Sequence, residues 1–257
     1  MRKFAIVTGA SSGIGLEIAK LAAKDGYDLL VAADTPLVDA AAGLKDMDVE
    51  VRQVECDLAT VQGVEQLLDA AGGREIDVLV ANAGTGYGGA FIDQDVERWH
   101  HTIDTNVTGT LLLIQPVLKA MTKRGRGRIL ITGSIAGHVP GAFNAVYNGT
   151  KAFIDSFAAA IANECKDSGV TITCLKPGAT DTEFFARAGM LDTKVGQQKK
   201  DDPADVAKTG WDAMNEGEPE VVHGLMNQAQ VIGAGILPES VTAEQHRKMA
   251  EPGSGRE

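Results

Sequence analysis

The stretch KFAIVTGASSGIGLEIAK, residues 3–20, decides the fold. A short apolar run ends at Thr8, glycines follow at 9, 13 and 15, and a helical pattern runs from Ile14 to Lys24. A strand, a glycine-rich turn and a helix in that order predict the first unit of an α/β fold. Glycines at such a joint let the chain turn tightly and let a pyrophosphate approach the backbone. The helix N-terminus beyond offers free N–H groups and a positive dipole end. A structural turn explains the same glycines, and their spacing is not the strict G-x-G-x-x-G fingerprint. Position favours the phosphate reading, because a dinucleotide fold places this loop after its first strand.

Outward from this unit the same design repeats. YDLLVAA (27–33), VEVRQVEC (49–56), IDVLVANAG (76–84), RILITGS (128–134) and VTITCLKPG (170–178) read as strands, with a later one at EVVHG (220–224). Helical patterns fill the gaps at about 36–45, 61–71, 95–123 and 148–167. Several strands are apolar on both faces, as expected where helices cover both sides of a parallel sheet. The expectation is one Rossmann-like, doubly wound α/β domain over residues 1–250, with no composition break to mark a linker. KRGRGR, 123–128, closes a helix and turns into a strand. Residues 181–202 mix aromatics, glycines and charge and read as a short helix and loop inserted after a strand end. The tail, 251–257, reads as disordered.

Composition narrows the function. The 257 residues carry a net charge of −11, which disfavours nucleic acid as a partner. No apolar run reaches the roughly 18 residues of a membrane span, and the apolar start is too short for a signal peptide. The cysteines, at 56, 165 and 174, are odd in number and form no C-x-x-C, which argues against a disulfide framework or a metal site and for a reducing cytoplasm.

Polar residues gather at predicted strand ends, where open parallel sheets bind ligands. Asp57 and Leu58 follow the third strand; Asp57 can accept a bond from an adenine amino group or cap the next helix. Asn82, Ala83 and Gly84 follow the fourth, small enough to let adenosine lie close. Ser134 ends the fifth. Tyr147 begins the next helix, with Lys151 one turn on and on the same face. Asn106 lies in a mostly apolar stretch of the long helix before it. Taken singly, each has a bland explanation: a packed tyrosine, a solvated lysine, a serine cap, a structural amide. Together they suit proton transfer. Free tyrosine, with a pKa of about 10, is a poor base at neutral pH. An ammonium at about 4 Å in an effective dielectric of about 20 favours its phenolate by at most roughly 4 kcal/mol. Tyr147 then exchanges a proton with an alcohol or ketone oxygen that Ser134 holds, while hydride passes to or from a nicotinamide.

TGASSGIG (8–15), NAG (82–84), Ser134, YNGTK (147–151) and PGATDT (177–182) together resemble the short-chain dehydrogenases/reductases, over nearly the whole chain. The TGxxxGxG loop matches Thr8, Gly9, Gly13 and Gly15, and YxxxK matches Tyr147 and Lys151; a common NNAG appears as ANAG. The resemblance implies a seven-stranded parallel sheet and a homotetramer or homodimer. It implies an Asn106, Ser134, Tyr147, Lys151 catalytic set, in which Lys151 also bonds the nicotinamide ribose and Asn106 holds a proton-relaying water. It implies that the cofactor lies on the first loop, including Ser11, Ser12 and Ile14, and on Pro177, Gly178, Thr180 and Thr182. Residues 183–200 would form the substrate lid.

Two choices remain. The second strand ends in Ala33 and Asp34, near the expected ribose 2′ position, and Ser12, Ala33 and Asp34 include no basic residue. Asp34 can accept bonds from a free diol and would repel a 2′-phosphate, so NAD is expected, with NADP as the alternative. The register is one place off, since the usual selecting aspartate matches Ala33. Val139, Phe143, Phe184, Phe185 and Met190, with Pro140, Ala145 and Leu191, suggest a pocket for a hydrophobic secondary alcohol or ketone, a small-molecule partner; His138 reads as a specificity or surface-turn residue. Rival readings are an NADP-dependent carbonyl reductase, an epimerase or dehydratase, and a non-catalytic dinucleotide-binding regulator on the same fold.

Overall fold

Every residue of strands β1 (Phe4–Thr8), β2 (Asp28–Ala33) and β4 (Val78–Ala81) is buried, which requires cover on both faces of the sheet. The computed structural model, which describes residues 2–45 and 47–256, supplies it. With β3 (Val51–Glu55), β5 (Gly127–Thr132), β6 (Val170–Lys176) and β7 (Glu220–Val222), these strands form one seven-stranded sheet in the order β3-β2-β1-β4-β5-β6-β7. All six pairings are parallel. The order reverses at β1, between β2 and β4, so the expected doubly wound single domain is what the chain forms.

Alternate residues of each strand feed two cores. On one face Ile6, Leu30, Leu79 and Ile129 pack against α3 (Val61–Ala70), α5 (Thr110–Arg124) and α6 (Ala145–Glu164). On the other, Val7, Val31, Val80 and Leu130 pack against α1 (Gly13–Lys24), α2 (Val38–Lys45) and α9 (Pro203–Glu216). Trp211 on α9 donates to Asp25 at 2.8 Å and meets Tyr27 edge to face, which ties α9 to the end of α1.

The long helix expected at 95–123 is three pieces. α4 (Val96–Ile103) starts at an Asp95 side chain that accepts from Arg98 N–H, and a wide π turn over Asp104–Gly109 joins it to α5. Past β6 the inserted segment holds two single turns, α7 (Phe184–Arg187) and α8 (Lys194–Gln197). Its base is closed where Asp181 N–H donates to the Asp201 carbonyl and Asp201 N–H to that of Ala179, both at 2.9 Å. α9, α10 (Leu225–Ala234) and α11 (Glu239–Ala250) were not anticipated as helices in the sequence. The expected disorder of 251–257 is corrected up to residue 256. Gly253 N–H donates to the Asp192 carboxylate, Gly255 N–H to its carbonyl, and Ser254 accepts from Lys194 N–H. Polar tail residues are held here by partners on the inserted segment, which composition does not reveal. Glu257 lies outside the described residues.

Leu79 is fully buried at the centre of β4. Leu79→Ala is expected to lower the unfolding free energy by about 2–5 kcal/mol, read as a lower urea midpoint at unchanged slope.

Candidate functional site

The C-terminal ends of β1, β2, β4, β5 and β6 open into one cavity of about 690 Å³. At its floor Gly9 has φ +63°, a backbone that L side chains rarely adopt, and a Cβ on Gly15 would stand 2.2 Å from the Gly9 carbonyl oxygen. Loop and helix therefore meet without side chains between them. The α1 N-terminus has no acidic residue in its first turn, and its Ser12 side chain makes no capping bond. Its N–H groups and dipole end are left to attract an anion. These features fit the phosphates of a dinucleotide.

Most of the expected ligand-binding residues reach the wall. Gly9, Ser11 and Ile14 line it from the first loop, and Ala33 and Asp34 from the end of β2. Asp57 and Leu58 follow from β3, and Asn82, Ala83 and Gly84 from β4. Pro177, Gly178, Thr180 and Thr182 line the β6 side. Ser12, Gly13 and Gly15 sit behind the wall, where a Cβ on Gly13 would strike the Thr182 methyl at 2.6 Å. Asp34 is exposed; Thr35 beside it donates to the Ser11 hydroxyl at 2.9 Å. Asp57 accepts from Ala59 N–H, while the cap of α3 is Thr60, so the aspartate shapes the turn without capping the helix.

The catalytic candidates divide. Ser134, Tyr147 and Lys151 share the wall. Ser134 Oγ accepts from Ala136 N–H at 3.1 Å, which starts the single turn over Ile135–His138. Lys151 is buried and its Nζ donates to the Thr132 carbonyl at 2.8 Å. Asn106 stands behind them. Its amide oxygen accepts from Thr85 N–H at 2.8 Å, and its nitrogen donates to the Thr85 carbonyl and the Thr150 hydroxyl. The target that the apolar context of Asn106 implied is thus the Thr85 backbone with the Thr150 hydroxyl, and the π turn brings the amide there.

Electrostatics correct one expectation. Lys151 Nζ lies 5.9 Å from the Tyr147 ring centroid, but it does not hold the phenol below its ordinary range. Burial pushes the Tyr147 pKa up to about 12; a hydrogen bond with Ser134 pulls it down and the Asp155 carboxylate pushes it further up. Burial also lowers the pKa of Lys151, against the opposing charge of Asp155. Desolvation is the largest influence on both groups, and it acts against the charged form of each.

On the substrate side, Phe184 lies 5.0 Å from Tyr147, ring centroid to centroid, and packs so close to Gly86 that a Cβ there would touch it at 2.5 Å. Val139, Phe184, Phe185 and Met190 line the cavity as expected. Phe143 does not. It adopts φ 64°, packs with Phe185 and Met190, and lies under the Arg247 guanidinium. His138 is likewise off the wall, 3.7 Å from Asp155. Gln230 on α10, with Gln245, His246 and Met249 on α11, completes the wall, and the sequence reading missed all four. Gln230 lies in a short helix and the other three in a polar one, far along the chain from the motifs. His246 Nδ1 lies 2.9 Å from the Ala142 carbonyl, and burial lowers its pKa.

A parallel sheet with a glycine loop suited to phosphates at its reversal point, and Ser134, Tyr147 and Lys151 beside it, fits a nucleotide-dependent oxidoreductase. Residues 3–190 match the short chain dehydrogenase family, and the chain belongs to it, as an NAD(P)-dependent short-chain dehydrogenase/reductase. An uncharacterized oxidoreductase of Staphylococcus saprophyticus is 32% identical over 219 residues, 83% of this chain and 92% of its own. A short-chain dehydrogenase from Sphingobium yanoikuyae, solved in complex with NADPH, superposes with a TM-score of 0.81 at 27% identity, covering 91% of this chain and 94% of its own. A short-chain dehydrogenase/reductase from Burkholderia phymatum, solved with NAD, superposes equally well at 23% identity, covering 90% and 92%. This second likeness bears on the fold alone.

The raised pKa of Tyr147 has a consequence for stability. Free tyrosine ionises near pH 10, whereas the folded chain holds the Tyr147 proton to about pH 12. The contribution is complete below pH 10 and is lost as pH rises through about 12, because the unfolded chain gives up its proton first. Urea titrations between pH 9 and 11 should show a steeper loss of stability in the wild type than in Tyr147→Phe.

Proposed function

We propose that this chain interconverts a hydrophobic secondary alcohol and its ketone with NAD(H). The observation that carries the reading is the Tyr147 phenol, which shares one cavity wall with Ser134 and Lys151 beneath the Phe184 ring. A bound nicotinamide supplies the hydride acceptor or donor. Tyr147 gives its proton to the ketone oxygen, or takes it from the alcohol. Ser134 holds that oxygen beside the phenol. Lys151, fixed by the Thr132 carbonyl, faces the same space and bonds ribose hydroxyls, and Asn106 braces the wall through Thr85. A phenol that stays protonated to about pH 12 is a proton donor at neutral pH, which suits ketone reduction. Phe184, Phe185 and Met190 exclude water and favour an apolar substrate.

The preference for NAD rests on Asp34. It is exposed on the cavity wall, and no arginine or lysine accompanies it there; among the described residues, the lysine and arginine of the wall are Lys151 and Arg187. Because the Sphingobium yanoikuyae relative was solved in complex with NADPH, NADP is the second reading. Self-association into a homodimer or homotetramer is supported by Leu112 and Phe153, apolar and outward-facing on α5 and α6. A cytoplasmic setting is supported by Cys56, Cys165 and Cys174, which are all free thiols.

A carbonyl panel with both cofactors tests the reading. kcat/KM with NADH should exceed that with NADPH by at least about tenfold on any accepted ketone; equal or better use of NADPH would overturn the cofactor assignment. Tyr147→Phe should lower kcat by about 10²-fold or more while NADH still binds, as followed by its fluorescence. Unchanged turnover would remove Tyr147 from the chemical step, and NADH binding without turnover of any carbonyl would favour a regulatory protein.

A further inference from the structure

Beneath the Ser134 turn lies a buried carboxylate that the proposed reaction does not use. Asp155 stands on α6 one turn beyond Lys151 and two beyond Tyr147. Its Oδ1 accepts from Ser134 N–H at 3.4 Å and from the Cys174 thiol at 3.5 Å. Its Oδ2 has no hydrogen-bond partner among the described residues and lies 3.7 Å from His138 Nε2, which has none either. The turn is wrapped round this carboxylate. A Cβ on Gly133 would come within 2.0 Å of Oδ1, and one on Gly137 within 2.7 Å of Oδ2. No other residue type fits at either position while Asp155 stays in place.

We propose that Asp155 is a positioning residue for the reaction set out above: its carboxylate holds the 134–138 turn, and with it the Ser134 hydroxyl, against Tyr147. Three observations support this. First, one oxygen binds the backbone of Ser134 itself, so the carboxylate acts on the residue that touches the phenol. Second, the other oxygen faces the far end of the same turn at His138, 3.7 Å away without a hydrogen bond, so one carboxylate packs against both ends of the turn. Third, the charge is not neutralised by a direct ion pair with lysine. Lys176 on β6 donates a hydrogen bond to the Glu220 carboxylate on β7 at 2.6 Å, and Lys151 donates one to the Thr132 carbonyl at 2.8 Å.

The groups facing Asp155 are Tyr147 and Lys151 on its own helix, His138 on the turn, and Cys174 and Lys176 on β6. Its negative charge opposes ionisation of the Tyr147 phenol. Asp155 therefore acts on Tyr147 in two opposed ways: it places the serine partner, whose hydrogen bond lowers the phenol's pKa, and it raises that pKa through space. The two contributions separate in variants. Asparagine keeps an oxygen acceptor for Ser134 N–H and removes the charge; alanine removes both.

The test uses the full chain with tyrosine ¹³C-labelled at the hydroxyl-bearing ring carbon, the Tyr147 signal being identified by its loss in Tyr147→Phe. In Asp155→Asn the Tyr147 signal should begin to titrate at lower pH than in the wild type, by about half a unit or more. On an accepted ketone, Asp155→Asn should keep kcat within about threefold, while Asp155→Ala should lower it at least about tenfold with the KM for the dinucleotide within about twofold. A Tyr147 titration unmoved in Asp155→Asn, or wild-type kcat in Asp155→Ala, overturns the proposal. If Asp155→Ala does not fold, Asp155→Ser, too short to reach Ser134 N–H, takes its place. If the wild type turns over no carbonyl, the proposed reaction fails, and titration alone decides on Asp155: Asp155→Ala, which loses the placement of Ser134, should hold the Tyr147 proton to higher pH than Asp155→Asn, and equal titrations overturn the positioning role.

Discussion

A small set of hydrogen bonds ties together the ends of β1, β4 and β5, and the site depends on it. Thr8 donates to the Val80 carbonyl and accepts from the N–H groups of Asn82 and Ala83, at 3.0–3.2 Å. Asn82 donates to the carbonyls of Thr8 and Gly9 and accepts from the Thr132 hydroxyl. The Thr132 carbonyl then accepts from Lys151. A parallel sheet leaves backbone groups unpaired where its strands end, and buried groups of that kind are costly. Here side chains of neighbouring strands satisfy them. The same bonds hold the first glycine loop at its angle and bring Lys151 to the wall.

Chemistry at this edge follows from burial as much as from charge. The sequence suggested a lysine that lowers the tyrosine's pKa. In the folded chain Lys151 donates a hydrogen bond to a backbone carbonyl and is itself desolvated, and burial is the largest influence on Tyr147. Asp155, one turn further along the same helix, adds negative charge at a distance set by how α6 packs on β6. Such balances are invisible in residue spacing, because a spacing names the neighbours on one helix and not the strand and turn beneath it.

The two ends of the cavity differ in how far they could be read in advance. Glycines and small residues after β1 and β4 mark the dinucleotide end, since close backbone contact leaves a signature in residue type. The substrate end is built from single-turn α7 and α8, the α10 and α11 helices, and a tail held by Asp192. These pieces are short or polar and carry little periodicity. Phe143 shows the difficulty. It stands between Ser134 and Tyr147 in the chain, yet an unusual backbone turns its ring away from the wall and into a small apolar cluster.

By itself the sequence determined the layered parallel fold, the glycine loop after the first strand, and which residue types gather at the strand ends. Each is a local consequence of hydrophobic pattern, chain direction and glycine placement. Only the tertiary structure decided that Asn106 braces the Thr85 backbone from a π turn, that Asp155 sits under the Ser134 turn and faces His138, and that α10 and α11 close the cavity. Those outcomes depend on contacts between segments remote in the chain, and on how much water each charged or polar group loses when they form.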